Sequence, residues 1–162
     1  ILTFQSSPVY ILSLQTIIVD SFMLLIHLIY HAPSVFLQQD IIPKSFEKDA
    51  MDILNAAFMY CWYHNSLSHI LVAINRLTAI VFHRHRVFTR QRTILLVILQ
   101  HLAALSLSIF SQFISPCCVF TFTWAAYSYM YIVTGENYSN ELIDLPMNSS
   151  ATAISIIAYT IV

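Results

Sequence analysis

The chain has 162 residues, of which 9% are charged, 58% hydrophobic and 14% aromatic, and its formal net charge is −1. Soluble domains carry about 25% charged residues, so this composition excludes an ordinary water-soluble domain and points to a polytopic membrane protein. The near-neutral balance leaves no basic footprint for nucleic acid. The three cysteines form no spaced disulfide framework: Cys61 lies in an apolar run, and Cys117 and Cys118 are neighbours.

The sequence opens on Ile1 and stops at Val162 within an apolar run, so both ends are expected to be cut from a longer protein. No charged n-region with a small-residue cleavage site marks a signal peptide. A hydrocarbon core of about 30 Å is crossed by roughly 20 helical residues. Residues 9–30 predict a first span, with Ser7 and Pro8 as N-cap and first-turn residues. Residues 31–52 form a mixed loop, with Asp40, Glu47, Asp49 and Asp52 against Lys44 and Lys48. Residues 53–82 predict a second span, long enough to tilt and protrude.

Residues 83–93 hold Arg84, Arg86, Arg90 and Arg92 and no acid. Residues 94–115 predict a third span, stopped by Pro116. Residues 116–150 carry Glu136, Glu141 and Asp144 and no base, and residues 151–162 begin a fourth span. Positive charge on the cytoplasmic side therefore puts loop 83–93 inside and the other two loops outside. The glycosylation sequons at Asn137 and Asn148 fall in the loop assigned outside. Within that loop, VFTFTWAAYSYMYIV alternates aromatic residues with period two: Phe120, Phe122, Trp124, then Tyr127, Tyr129, Tyr131. That pattern predicts a short extracellular β-hairpin around Ala125-Ala126, half-buried on one face, although Ala-Ala is poor turn chemistry.

Ionisable residues inside a membrane are expensive and are functional candidates for that reason. Asp20 sits midway along the first span. It is either a protonated carboxyl bonded to a neighbouring helix or part of an activation switch. His27, His64, His69 and His101 do not read as a metal site: His64 and His69 are about 140° apart around a helix, and packed or interfacial histidines are expected. Arg76 has two readings: it snorkels from the helix end to the interface, or it senses a G protein.

The stretch LSHILVAINRLTAIVF, followed by HRHRVFTR, resembles the end of the third transmembrane helix in nematode serpentine chemoreceptors of the Srg superfamily, including the Srv and Srx types. These are rhodopsin-like seven-transmembrane G protein-coupled receptors. The resemblance implies an all-α polytopic fold in which residues 1–162 form one membrane domain fragment, helices two to five of seven. One further apolar run is expected before it and three after it. It implies a multi-pass plasma-membrane receptor, not an enzyme, with no cofactor or metal. Such a receptor passes binding of a small, uncharged or weakly polar ligand to a heterotrimeric G protein.

Under this resemblance Asn75 and Arg76, with Arg84 and Arg86, serve activation and G protein coupling, and Asp20 belongs to the polar network linking pocket to cytoplasm. Counting outward by turns from Arg76 puts Phe58, Met59, Trp62 and Tyr63 at ligand depth. No acid stands among those four, which disfavours an amine held by a salt bridge. The chain departs from the pattern at Asn75, where an acid usually precedes the arginine, and at Met51, where a bridged cysteine is usual. Helix four lacks its usual tryptophan and has Gln100, His101 and Leu102 in that region.

The main alternative is a transporter or channel fragment. Transporters favour small-residue packing and helices broken by Gly or Pro at mid-membrane. Here the single glycine, Gly135, is in a loop, and no proline interrupts an expected span.

Overall fold

The computed structural model describes residues 8–42, 47–80, 88–115, 120–131 and 140–161. Among the described residues it is a helical bundle with one strand pair. Helix α1, Pro8–Ile26, opens on the expected proline, which is tolerated where a helix N–H has no partner. Leu12, Gln15, Val19 and Ile26 form its narrow buried stripe, while Ile17, Ile18, Leu24 and Leu25 face outward. Apolar residues on the outer surface and a glutamine inside are the pattern of a helix solvated by lipid.

The helix does not stop at Tyr30. A π turn, His27–His31, leads directly into α2, Ala32–Leu37. Pro33 explains the widened turn: it lacks an N–H and its ring crowds the carbonyl of Ile29, so the chain makes room by a π turn rather than a break. Pro33 therefore sits in the part of the helical stretch that runs beyond the expected span 9–30. Gln38 closes α2 in the left-handed conformation at φ 53°. Its N–H bonds to Val35 O, and the Gln39 N–H bonds to Ser34 O, a cap usually built on glycine.

Helix α3, Glu47–Ile80, has 34 residues and is about 51 Å long at 1.5 Å per residue, well beyond a bilayer core. It begins earlier than residue 53 because its first turn continues the polar stretch before the apolar run. It packs against α1, α4 and α5. Helix α4, Arg90–Ile109, starts at Thr89, whose side chain accepts the Arg92 N–H, a conventional N-cap. A second π turn, Phe110–Ile114, extends it. The stretches Pro8–Leu37 and Arg90–Ile114 are each long and apolar enough to cross a membrane. By contrast, α3 turns Asn55, His64, Ser66, Ser68 and Asn75 into the bundle.

The expected hairpin is present. Strands β1, Phe120–Thr123, and β2, Ser128–Tyr131, pair antiparallel, with Phe120 opposite Tyr131 and Phe122 opposite Tyr129. The Ala-Ala problem is solved one residue later. Trp124–Ala126 make a 3-10 turn, and Tyr127 takes the left-handed conformation at φ 53° that the turn requires. Helix α5, Leu145–Ile161, is entered through a π turn, Asn140–Asp144, with Pro146 in its first turn. It starts before residue 151, so Asn148 lies on a helix and not in the loop.

Candidate functional site

Residues directly opposite in an antiparallel pair share a face. The register thus gathers Phe120, Phe122, Tyr129 and Tyr131 on one side of the hairpin, and that side closes over the N-terminal part of α3. Phe58 stacks on Tyr129 with ring centroids 3.9 Å apart, and Phe120 stacks on Tyr129 at 4.8 Å. His31, delivered by the π turn, stacks on Phe122 at 4.2 Å, and its Nε2 is 2.6 Å from the Tyr129 hydroxyl. Burial pushes the Tyr129 phenol far up, so it stays protonated. Beneath this roof is a cavity of about 610 Å³ lined in part by His27, His31, Phe58, Met59, Trp62 and Asp144. That volume suits a small molecule, and the lining is mostly apolar with a few polar groups.

Asp144 was not among the residues singled out for the pocket. It stands at the end of the π turn before α5 and is buried. Its Oδ2 accepts from the Tyr131 hydroxyl. Burial raises its carboxyl above the usual carboxylate range, while the hydroxyls of Tyr131 and Tyr63 pull in the opposite direction. The Tyr131 phenol is pushed up by burial and by Asp144 itself. Nothing in the local sequence separates Asp144 from Glu136 or Glu141. Only the fold of α5 against α3 turns it inward.

Deeper in the bundle, Gln100 joins three helices. Its Oε1 accepts from Gln15 Nε2 at 3.0 Å. Its amide nitrogen reaches His64 Nε2 at 3.1 Å, His64 O at 3.0 Å and Ser68 Oγ at 2.6 Å. An amide N–H only donates, so His64 Nε2 accepts and the ring proton belongs on Nδ1, beside Ser68. His101 stacks on His64 at 4.6 Å and its Nδ1 lies 2.6 Å from the Tyr60 hydroxyl. His64 and His101 thus meet across helices as packed groups. Among the described residues no cluster of metal-ligating side chains forms.

Asp20 accepts from Asn65 Nδ2 at 2.7 Å. At the far end of α3, Asn75 is buried and Arg76 is exposed, so neighbouring side chains leave the helix in different directions. The Arg76 guanidinium lies over the ring of Tyr159, with Cζ 5.3 Å from its centroid. This end is 18 residues from Phe58, or about 27 Å along the helix axis. The cavity and the arginine are therefore held at opposite ends of one continuous helix.

The family model described as serpentine type 7TM GPCR chemoreceptor Srx matches residues 3–162. The chain belongs to that family. Among curated proteins and among solved structures, nothing matches. Membership makes this a membrane protein with a chemosensory receptor role, and it decides between the Srv and Srx types named from the sequence.

Against this Srx frame the expected site residues separate. Phe58, Met59 and Trp62 line the cavity. Tyr63 instead packs in the core with Met59 and Ala104. No acid stands among the four residues counted along α3, but the cavity lining also includes Asp144, from the π turn that precedes α5. Asn148 is half-buried on α5 and its Oδ1 accepts from Ser66 Oγ at 3.0 Å, an arrangement that leaves its side chain occupied. Arg84, Arg86 and Asn137 lie outside the described residues, as do Cys117 and Cys118. Asn65, Tyr129, Asp144 and Tyr159 were missed. The aromatic periodicity of the hairpin was the one signal that pointed at Tyr129.

Proposed function

We propose that this Srx chain forms the ligand-reading and coupling part of a plasma-membrane chemoreceptor. A small, mostly apolar molecule occupies the cavity under the hairpin on the outer side. Arg76, with Arg84 and Arg86 in the arginine-rich loop, meets a heterotrimeric G protein on the inner side. One observation carries this reading: an aromatic hairpin roofs a cavity floored by Phe58, Met59 and Trp62, and the same helix presents Arg76 about 27 Å away. The two functions of a receptor need that separation. Asp20 with Asn65, and the Gln100 network, lie between and are the groups able to change partners when the ends move.

The test is a signalling assay on receptor expressed in cultured cells and screened with small volatile and water-soluble cues. For any agonist found, Trp62→Ala and Phe58→Ala should each raise the half-maximal concentration at least tenfold. Ile53→Ala, on the outward face of α3, should leave it unchanged. Equal responses from all three variants would remove the cavity as the ligand site. The orientation has its own check: residues 83–93 should be cut by protease in inside-out vesicles, and their protection there would overturn it.

A further inference from the structure

Two histidines on the cavity wall, His27 and His31, come from the two ends of one π turn. His31 is buried, and its Nε2 is bonded to the Tyr129 hydroxyl. His27 is half-buried, and its Nδ1 lies 2.9 Å from the carbonyl oxygen of Met23, one turn back along α1. A carbonyl oxygen only accepts, so Nδ1 carries the ring proton. In the neutral imidazole the other nitrogen, Nε2, then offers a bare lone pair. That lone pair has no partner among the described residues, and the atom is not enclosed. The rings of His27 and His31 meet edge to face, 89° apart with centroids at 4.6 Å. In that arrangement the in-plane lone pair of one ring is not in line with an in-plane N–H of the other.

The other polar side chains of the wall are engaged. His31 holds the Tyr129 hydroxyl, the Ser128 hydroxyl donates to the Tyr129 carbonyl, and Asp144 is buried with Tyr131. Rings of Phe58, Trp62, Phe120 and Tyr129 complete an aromatic lining that suits a flat ring. A donor on the wall, such as the Trp62 indole N–H, serves the oxygen of an alcohol and of a ketone alike and cannot tell them apart. An acceptor of fixed tautomer can. A ligand O–H satisfies it, whereas a group without that hydrogen sets two lone pairs against each other and leaves the nitrogen desolvated, at a cost. We propose that His27 is the specificity-determining residue of the cavity: it selects neutral aromatic alcohols and phenols, which donate to Nε2, over molecules of the same shape that only accept.

This inference rests on the cavity being the ligand site, and the experiment separates the two. The probes are 1-phenylethanol and p-cresol, with acetophenone and 4-fluorotoluene as counterparts that lack the O–H. Binding is read as the ligand-induced rise in melting temperature of the purified full-length receptor. The assay is run at about pH 8, above the value at which an ordinary imidazole takes up its second proton. The alcohol and the phenol should each bind about three- to tenfold more tightly than the counterpart, the usual worth of one neutral hydrogen bond. His27→Phe should erase that preference by weakening the two O–H probes while leaving acetophenone and 4-fluorotoluene unchanged. Trp62→Ala should weaken all four.

Equal binding of O–H probes and counterparts, all weakened by Trp62→Ala, would overturn the selection and leave the cavity as the ligand site. A preference that survives His27→Phe, or a variant that weakens all four probes equally, would overturn the role of His27. No binding by any probe, or binding that Trp62→Ala does not change, would overturn the inference, and the latter result would count against the cavity as well. If His27→Phe fails to fold, nitrogen NMR of the labelled histidines in the wild-type receptor still decides. The His27 proton should be found on Nδ1, and the Nε2 signal should move on adding 1-phenylethanol but not acetophenone. A proton on Nε2, or an Nε2 signal that 1-phenylethanol leaves in place, contradicts the account.

Discussion

Gln100 ties α1, α3 and α4 together, and Gln100→Leu removes that tie while keeping most of its volume. Intramembrane side-chain hydrogen bonds average ~0.6 kcal/mol and reach ~1.7 kcal/mol. Gln100 bonds to Gln15, His64 and Ser68, so about 2 kcal/mol is lost directly. Stranding the Gln15 amide in a dry interior adds about 1 kcal/mol. A total of about 3 kcal/mol corresponds to a fall in melting temperature of roughly 6–12 °C for a protein of this size class.

Cys61 offers the assay. It is a free, fully buried thiol, and a fluorogenic maleimide will label it only when the bundle opens, once Cys117 and Cys118 are replaced by serine. The decisive measurement is the double variant. Gln15→Leu added to Gln100→Leu removes the stranded amide, so the pair should be milder than the sum of the singles by about 1 kcal/mol. Additivity within ~0.3 kcal/mol, or a fall of under ~2 °C for Gln100→Leu, refutes the network as a structural tie.

Further outcomes follow from other groups. Tyr159→Leu removes the ring under Arg76, worth about 0.5–1 kcal/mol at an exposed site, and should change ligand-independent signalling by roughly two- to five-fold; unchanged basal signalling at matched surface levels contradicts that contact. Arg76→Ala should abolish G protein coupling while leaving surface delivery intact, and full signalling from it means the arginine merely snorkels. The folded pKa of Asp144 lies above its unfolded value, so its carboxyl contributes stability that is fully present below the unfolded value and is lost as pH rises through the folded one. Asp144→Asn should flatten that part of the melting-versus-pH curve, and an unchanged slope between wild type and variant rules the account out. Gln38→Gly relieves a left-handed residue and should stabilise by about 1 kcal/mol, measurable as a higher melting temperature. Asn137→Gln should remove a glycan mobility shift and Asn148→Gln should not, because the Asn148 side chain is engaged with Ser66.

What the sequence revealed, and what it hid, follows from the range of the forces involved. Span existence came from apolar runs, and the hairpin from strict aromatic alternation, both local signals that burial in lipid or against α3 reinforces. The end of the first span was misjudged where a π turn extends the helix, whereas the end of the third, also reached through a π turn, lies within one residue of expectation. A widened turn carries the first helix past Tyr30 and Pro33 to Leu37. The floor of the cavity was legible because α3 is one regular helix and its periodicity carries from Arg76 back to Phe58. Tyr63 failed that count: it is next to Trp62, and a 100° step on the helix moves it from the cavity to the core. Asp144 and Tyr159 were illegible because their roles depend on how α5 docks against α3, which no local pattern encodes.

The same docking explains how the two ends of α3 can be coupled by modest energies. A ligand drives a two-state equilibrium only by its difference in affinity for the two states, and a swing from 1:99 to 99:1 requires about 5.5 kcal/mol. The contacts between the cavity and Arg76 are neutral hydrogen bonds, one carboxylate–amide bond from Asn65 to Asp20, and one cation–π contact to Tyr159. Each is worth about 0.5–2 kcal/mol. Rearranging several of them costs about what one well-packed small ligand provides. A buried ion pair in place of Asp20 and Asn65 would cost about 3–5 kcal/mol to break and would hold one state against such a ligand. Under the proposed function, neutral partners along α3 set a threshold low enough for a small ligand to cross.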